Sequence, residues 1–554
     1  MNTRFEIPDL ILYNGTIFTA DETDSVCGAL AVCGNEIVAT GESDEILGLA
    51  APWTKLIDLK GRSAMPGIND CHSHLWQAGQ TFRGVVLFGI DSFDMLKEKL
   101  AEKAAVTPKG RWITGCSYIE SQFKENRCFT KKELDEAAPD HPVVFDRVFG
   151  SSVANTRALQ LAGITKDTPD PEKGEIVRDP LTGEPNGILH GNAMMLVRNV
   201  MDVASGMAGD GAGDPSPETF IELIRTALPV YNSYGITSNT EAGGTRNLAR
   251  AYHRLYEWGE LTLRIALMPS WYGFNFLPND EMLAHVIDDY DFAAGYGNEW
   301  IRYSGLKMAI DYGLTSKTAL KSWAYVGDDG PRRVPLRLDL DKPDGYIKTA
   351  HDAGWDIGIH VMGDIALERA VEAMYKAWKA NPREHRHNII HAYFPTEKAL
   401  AMMEEMGIMA IVQGSFIYGE GDGYPELLPP DKIESYTPLR TYLDHHIRCG
   451  LSTDMPCGAL DPFWNMYSAV TRKAMRGTSL GTSECVTVKE AVKMMTYNGA
   501  YLTREQDIKG SLEPGKRADI AILDRDLDGI DPEEIRNIKV DMTILDGKVI
   551  FTRG

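Results

Sequence analysis

Through the middle of this 554-residue chain, short apolar runs alternate with stretches whose apolar residues recur three and four positions apart. Pro142-Val-Val-Phe145, Leu263-Arg-Ile-Ala-Leu267, Trp355-Asp-Ile-Gly-Ile359, Asn388-Ile-Ile390 and Met409-Ala-Ile-Val412 have strand length. Ile365 to Trp378 carries the helical spacing. Strand and helix in series predict a parallel sheet with right-handed crossovers, and at this length an α/β chain of the (β/α)8 TIM-like barrel type.

The two ends are written differently. Leu10 to Phe18, Ala29 to Val32, Glu36 to Thr40 and Leu56 to Lys60 are β-prone and punctuated by Asn14-Gly15 and Gly34-Asn35. The last fifty residues repeat the style, with a turn cluster at Gly510 to Gly515, a strand at Ala518 to Leu523, and a hairpin turning at Asp546-Gly547. Neither end has enough strands for a core of its own. The expectation is therefore a small composite β-sandwich from residues 1–64 and 505–554, a barrel over 65–504, and an insertion around 150–214 at the barrel mouth, where Gly, Asp and Pro accumulate.

Charge and cysteine usage limit the partners. With 57 Lys+Arg against 79 Asp+Glu the formal charge is −22, which argues against a nucleic-acid binder. No apolar run approaches the roughly 20 residues of a membrane-spanning helix, and Met1 to Glu6 lacks the pattern of a secretion signal. The 8 cysteines are scattered without a CxxC pair, as reduced thiols would be. These features predict a cytoplasmic protein with no membrane contact.

The chemistry-bearing residues stand at the ends of apolar runs. In Met65-Pro-Gly-Ile-Asn-Asp-Cys-His-Ser-His74, His72 and His74 are two apart, so an extended backbone projects both imidazoles to one side, where they can hold one cation. Close histidine pairs also occur without a metal. His360 in Gly358-Ile-His-Val-Met-Gly-Asp364, His391 in Asn388-Ile-Ile-His-Ala392 and Asp454 in Gly450-Leu-Ser-Thr-Asp-Met-Pro456 also close such runs, and C-terminal strand ends are where barrel enzymes keep their reacting groups. Taken singly, His360 or His391 is equally a buried histidine with one structural hydrogen bond. Lys307, inside Ile301 to Asp311, is costly to bury as an ammonium. It is a candidate for carbon dioxide addition, giving a carbamate able to bridge two metals; the alternative is a salt-bridged or snorkelling lysine.

Other residues are weaker candidates. Trp76, Tyr118, Trp271, Tyr272 and Tyr418 lie near strand ends and are candidates for substrate contact, although most aromatics are core. His190 lies in the insertion, and Glu241 closes Gly235-Ile-Thr-Ser-Asn-Thr-Glu241, which reads as a third strand. Both are candidate substrate contacts, with a structural hydrogen-bonding role the alternative for Glu241. Glu384-His-Arg-His-Asn388 reads as a solvated loop, and His445-His446 as a helix end.

The order His72-x-His74, Lys307, His360, His391, Asp454, between split terminal β segments, resembles the metal-dependent amidohydrolase superfamily. Together with Leu134-Asp-Glu-Ala-Ala-Pro139, Lys307-Met-Ala-Ile-Asp311 and Gly510-Ser-Leu-Glu-Pro-Gly-Lys-Arg-Ala-Asp519, it is similar to amidohydrolase family 3, the branch of YtcJ-like proteins and N-substituted formamide deformylases. The resemblance implies that His72 and His74 bind one metal at the first strand. It implies that Lys307, N6-carboxylated, bridges to a second metal held by His360 and His391 at the fourth to sixth strands. Asp454, at the eighth, would touch the first metal and act as general base and then acid. The activity implied is hydrolysis of a non-peptide C–N bond, in an amide, formamide, carbamate or cyclic amide, by a metal-activated water. The same site type also supports decarboxylation or isomerisation. Zinc is the first expectation, with manganese or iron open, as one or two ions; a homodimer is implied as well. Two departures affect substrate transfer: the Asp-Gly-His-Ser common near the second strand is absent from Arg147 to Asn155, and Tyr312 interrupts Asp311-Tyr-Gly313.

Overall fold

A computed structural model describes residues 7–147, 150–205, 215–270, 287 and 293–554. At its centre are eight parallel strands, β1 Ile68–Ser73, β2 Ile236–Gly244, β3 Arg264–Pro269, β4 Leu306–Ala309, β5 Ile357–Val361, β6 Asn388–His391, β7 Met409–Val412 and β8 Cys449–Leu451. β1, β2 and β3 with Ile301–Tyr303 form one parallel sheet, and β4 to β8 a second. Only Ser304-Gly305 separates Ile301–Tyr303 from β4, so one chain segment pairs with β3 through its first part and with β5 through its second. Gly305 is required there, because a Cβ would stand 2.9 Å from the Asp356 carbonyl oxygen. Among the described residues no ladder joins β8 to β1. Two backbone bonds span that gap instead, Asp454 N–H to His72 O and His74 N–H to Met455 O, both 2.9 Å.

Helices cover the outside because their sequences carry one apolar stripe. Asp364–Ala380 buries Ala366, Leu367, Ala370, Val371, Ala373, Met374 and Ala377 and leaves its charged face to solvent. The next helix, Glu397–Met406, is capped by the Thr396 hydroxyl, which accepts the Ala399 N–H, and ends at Gly407 in the left-handed region that glycine tolerates. Among the described residues no helix is long and apolar enough to cross a membrane.

The terminal segments interleave. In a six-stranded sheet Ser63–Pro66 lies between Thr16–Phe18 and Ile520–Leu523, pairing Ala64 with Ile522 and Met65 with Ala521. A four-stranded sheet of N-terminal strands shares an apolar cluster with it that includes Leu12, Leu30, Ala64, Ile520 and Ile544. A further six-stranded sheet has Val85–Val86 at one edge and Gly174–Arg178 at the other, and includes Val143–Arg147 and Pro185–Gly191. Val143 to Phe145 therefore belongs to this side layer rather than to the central strands, and the layer starts well before residue 150. β2 lies directly beside β1, so Glu241 is on the second central strand, not the third. A short apolar run records burial but not which sheet it joins.

The C-terminal segment is clamped to the central strands by a buried ion pair. Arg264, at the start of β3, donates from Nε and Nη2 to the Asp519 carboxylate (2.7 and 3.1 Å) and from Nη2 to Asp546 (3.0 Å). Burial alone would raise the Asp519 carboxyl, yet Arg264 beside it holds it below the usual carboxylate range. Asp519→Ala takes away the two-point carboxylate partner of the buried guanidinium and leaves it only Asp546, and we expect a loss of up to about 3–5 kcal/mol in urea unfolding. The double change Arg264→Met, Asp519→Leu is expected to cost less than the single one.

Candidate metal centre

Three donor atoms converge where β1 ends and the segment after β8 begins. His72 Nε2 and His74 Nε2 each stand 3.4 Å from Asp454 Oδ1, and the three ligand atoms lie within 4.8 Å of one another. Four ligands held tetrahedrally at about 2.1 Å stand about 3.4 Å apart, so the spacing suits a zinc-sized dication. The backbone enforces it. Asp454 has φ of 51°, and its N–H is bonded to the His72 carbonyl. The Asp70 carboxylate accepts from Thr453 N–H (3.0 Å), Thr453 Oγ1 (2.5 Å) and His72 N–H (3.3 Å). Burial pushes the Asp70 carboxyl up to about 7 against these three donors. Burial, and then Lys307, hold His72 well below the ordinary histidine value, so its ring is neutral and offers a lone pair.

His360 and His391 form a second group beside the first. His391 Nε2 faces His360 Nδ1 at 2.8 Å. His360 Nε2 is 2.8 Å from the Tyr312 carbonyl oxygen, which only accepts, so Nε2 carries the proton and Nδ1 a lone pair. His391 Nδ1 is 2.7 Å from Gln413 Oε1. The Gln413 amide is oriented by Nε2–H donation to Ser452 Oγ at 2.8 Å, so His391 Nδ1 is protonated and Nε2 also carries a lone pair. Burial lowers both rings, His391 to about 4 and His360 well below its ordinary value, which leaves no proton between the two facing lone pairs. Such a pair has the donor chemistry for a cation. Lys307 Nζ lies 3.2 Å from His72 Nε2, and burial pulls this lysine down to about 7, with Asp454 opposing the shift.

Not every candidate converges. Glu241 is buried beneath His74, where its carboxylate accepts the Leu75 N–H (3.0 Å) and the Tyr252 hydroxyl (2.5 Å). Trp76, half-buried, is in the first turn of the helix Leu75–Arg83 and packs edge-on against Phe220 at 5.3 Å. Tyr118 is fully buried in the side layer between Phe123 and Phe129, and Tyr418 stacks on Trp464 at 4.6 Å. His190 is exposed on the strand Pro185–Gly191. Trp271 and Tyr272 lie outside the described residues. The pair His385 and His387 is buried rather than solvated: Ile357 N–H donates to His387 Nδ1 (3.1 Å), and His387 Nε2 faces His351 Nδ1 (2.9 Å). The charges that suggested a solvated loop are consumed locally, since Arg386 pairs with Glu384 at 2.8 Å and covers the Tyr501 ring. His445 follows the helix Leu439–Asp444 and pairs with Glu404 at 3.1 Å, as its helix-end position predicts.

Residues not singled out in the sequence complete the site. Asp70, Gln413 and Asp311 all stand in or just past short apolar runs, the same signal that marks the histidines. Asp311 accepts backbone N–H groups of Leu320, Met362 and Gly363 and thereby fixes the turn after β5. Nearby, a cavity of about 310 Å³ is lined by Ile119, Glu120, Arg147, Glu420, Tyr424 and Leu427, among others. Arg147 Nε donates to both Glu120 oxygens (3.1 and 3.0 Å). Glu420 is buried, accepts from the Tyr424 hydroxyl at 3.1 Å and lies close enough to Asp454 to feel its charge. Burial pushes the Glu420 carboxyl up to about 7 against the pull of Arg147.

Parallel strands with histidine and aspartate donors at their C-terminal ends are the architecture of metal-dependent hydrolases. Residues 55–551 match the model of the Amidohydrolase family, and the chain belongs to that family of hydrolases acting on carbon–nitrogen bonds. It is 26% identical to the N-substituted formamide deformylase of Arthrobacter pascens, over 99% of both chains. It is also 26% identical to the putative amidohydrolase YtcJ of Bacillus subtilis, over 98% of this chain and 99% of that one. An uncharacterized metal-dependent hydrolase from Pyrococcus furiosus shares the fold, with a TM-score of 0.68 at 24% identity, covering 94% of this chain and 99% of that one.

The depressed Lys307 amine has a consequence for stability. Its value is near 7 in the folded chain against an ordinary 10.5, so in that window the unfolded chain binds more protons. Its contribution to folding stability therefore rises as pH climbs from about 7 towards 10.5. In metal-free protein we expect wild type to gain urea resistance relative to Lys307→Met between about pH 7 and 9.5; parallel midpoints across that range would show that the amine is not desolvated.

Proposed function

We propose that this protein hydrolyses the C–N bond of a small-molecule amide, formamide, carbamate or cyclic amide at a metal centre built on His72, His74 and Asp454. The observation that carries this reading is the placement of Asp454 Oδ1 at 3.4 Å from the Nε2 atoms of both histidines. We read β1 to β8 as the staves of one (β/α)8 barrel, with the donors at its C-terminal rim and the terminal sheets as a composite second domain. Support comes from the strand order, from the segment shared by β3 and β5, and from the backbone bonds between β1 and the segment after β8.

His72, His74 and Asp454 would hold a divalent ion, zinc in the first instance, which when bound would acidify a water and polarise a carbonyl oxygen. Facing lone pairs on His360 Nδ1 and His391 Nε2 support a place for a second ion. A desolvated Lys307 amine is neutral over part of the working range, so it can add carbon dioxide, forming an N–C bond and releasing a proton, and would then offer carbamate oxygens as further donors. Asp454 serves as the proton carrier: the carboxylate oxygen not spent on the ion takes the proton released as the C–O bond forms and returns it to the nitrogen as the C–N bond breaks. Gln413 and Tyr312 keep the rings of His391 and His360 in the tautomers that direct their lone pairs inward.

Elemental analysis followed by hydrolysis of an N-formyl, N-acyl and carbamate panel in 18O-labelled water tests the proposal. Chelation is expected to abolish activity, zinc or manganese to restore it, and label to enter the acid product. Turnover without label would assign the site to decarboxylation or isomerisation instead, and full activity in chelated, metal-free protein would remove the metal from the mechanism. Asp454→Asn is expected to lower kcat by roughly 10²–10⁴-fold, read in protein whose metal content has been measured.

A further inference from the structure

The cavity lined by Arg147 and Glu420 bears on substrate choice, a role that rests on the neighbouring centre being hydrolytic. It lies at the rim that carries the donors. Arg147 ends the strand Val143–Arg147, Thr315 enters the lining from the segment after β4, and Glu420 to Leu427 from the segment after β7. The helix Gly414–Glu420 connects it to the centre: Phe416 stacks on the His391 ring (centroids 5.9 Å, 16°), Ser415 Oγ donates to the Thr453 carbonyl at 3.0 Å, and Glu420 lies one turn beyond Phe416. About 310 Å³ is at the lower end of small-ligand pockets, enough for a compact polar molecule.

The lining sets one guanidinium, Arg147, among the carboxyl groups of Glu120, Glu420 and Glu426, and two of these ionisable groups, Arg147 and Glu420, are only half used. The Arg147 side chain is satisfied at Nε by Glu120, while its two terminal nitrogens bond no protein group among the described residues. Glu420 spends Oε2 on the Tyr424 hydroxyl and has no partner at Oε1 among them, although the residue is only 7% exposed. The guanidinium and the Glu420 carboxylate face the same space without forming an ion pair with each other. The tyrosines behind Glu420 fix its position, since Tyr424 also shares a hydrogen bond with Tyr436 at 3.0 Å.

A ligand carrying only an anion would satisfy Arg147 and leave the Glu420 oxygen facing it; one carrying only a cation would leave the terminal guanidinium nitrogens unmet. A group that is anionic and cationic at adjacent atoms satisfies both and adds no net charge. We infer that Arg147 and Glu420 select substrates whose end remote from the scissile C–N bond is a free α-amino acid head, its carboxylate on Arg147 and its ammonium on Glu420.

Two readouts on metal-loaded protein test this. In the first, kcat/KM is compared for Nε-formyl-lysine, N-formyl-6-aminohexanoate, N-formylcadaverine and N-formylpentylamine, which carry both charges, the carboxylate alone, the ammonium alone and neither. In the second, calorimetry follows binding of free lysine. Wild type is expected to favour Nε-formyl-lysine by about tenfold or more for each charge present, as charge-assisted hydrogen bonds allow. Arg147→Met should erase the carboxylate preference and Glu420→Gln the ammonium preference, with lysine binding weakened in both and circular dichroism unchanged. Equal kcat/KM across the four compounds, or lysine binding that survives both substitutions, would overturn the assignment while leaving the hydrolase intact. Lysine binding that needs both residues, in protein that hydrolyses none of the formamides, would uphold the pocket and count against the hydrolytic reading.

Discussion

The site depends on one buried carboxylate that reacts with nothing. Asp70 grips the backbone N–H and hydroxyl of Thr453 and the N–H of His72, and so fixes the end of the first central strand against the segment that follows the last. No strand ladder closes that junction among the described residues. What holds it is this carboxylate with the two backbone bonds of Asp454 and His74. Asp454 is thereby presented in a left-handed backbone conformation that a non-glycine residue adopts only when its surroundings require it. The separation of His72, His74 and Asp454 is thus a property of the backbone junction and does not rely on side-chain rotamers alone.

Burial gives the centre its charge state. Asp70, Glu241, Asp311 and Glu420 are each pushed up to about 7, and Lys307 is pulled down to about 7. The shifts are opposite in direction and share desolvation as their largest cause, because low dielectric penalises whichever form is charged. The imidazoles of His72, His360 and His391 respond in the same sense and stay neutral. A pocket that strips charge from acids and bases alike keeps its lone pairs available, and the facing nitrogens of His360 and His391 are its clearest result.

Much of this was legible in the sequence, for one reason. A polar or ionisable residue in or at the end of a short apolar run is costly to place unless it faces a site, and that rule, together with the His-x-His spacing and the family resemblance, singled out His72, His74, Lys307, His360, His391 and Asp454. It would also have found Gln413 after Met409–Val412 and Asp70 within Ile68–Ser73, had amide and supporting carboxyl groups been weighed with the ligand types. Sheet membership was not legible: Val143–Arg147 has the same apolar character as β6, yet it lies in the side layer. Aromatic type carried little information either, since Tyr118 and Tyr418 took core positions that their neighbours in the chain could not reveal. His385 and His387 misled through composition, because a window rich in charge marks solvent only if those charges lack local partners.

Glu241 shows how the rim is supported from below. Its carboxylate caps the Leu75 N–H, the first peptide after His74, and is itself held by Tyr252. A carboxylate at the start of the helix Leu75–Arg83 also suits the positive end of that helix. His74 is therefore flanked by two anchors, the Met455 carbonyl on its own N–H and Glu241 on the next. Asp70 and Glu241 hold the two ends of the His72–His74 stretch, Asp70 taking the His72 N–H and reaching across to Thr453 after the last strand, and Glu241, from the second strand, taking the Leu75 N–H. A histidine pair two residues apart can face one point only if the backbone between them cannot twist, and these two carboxylates are what prevents it.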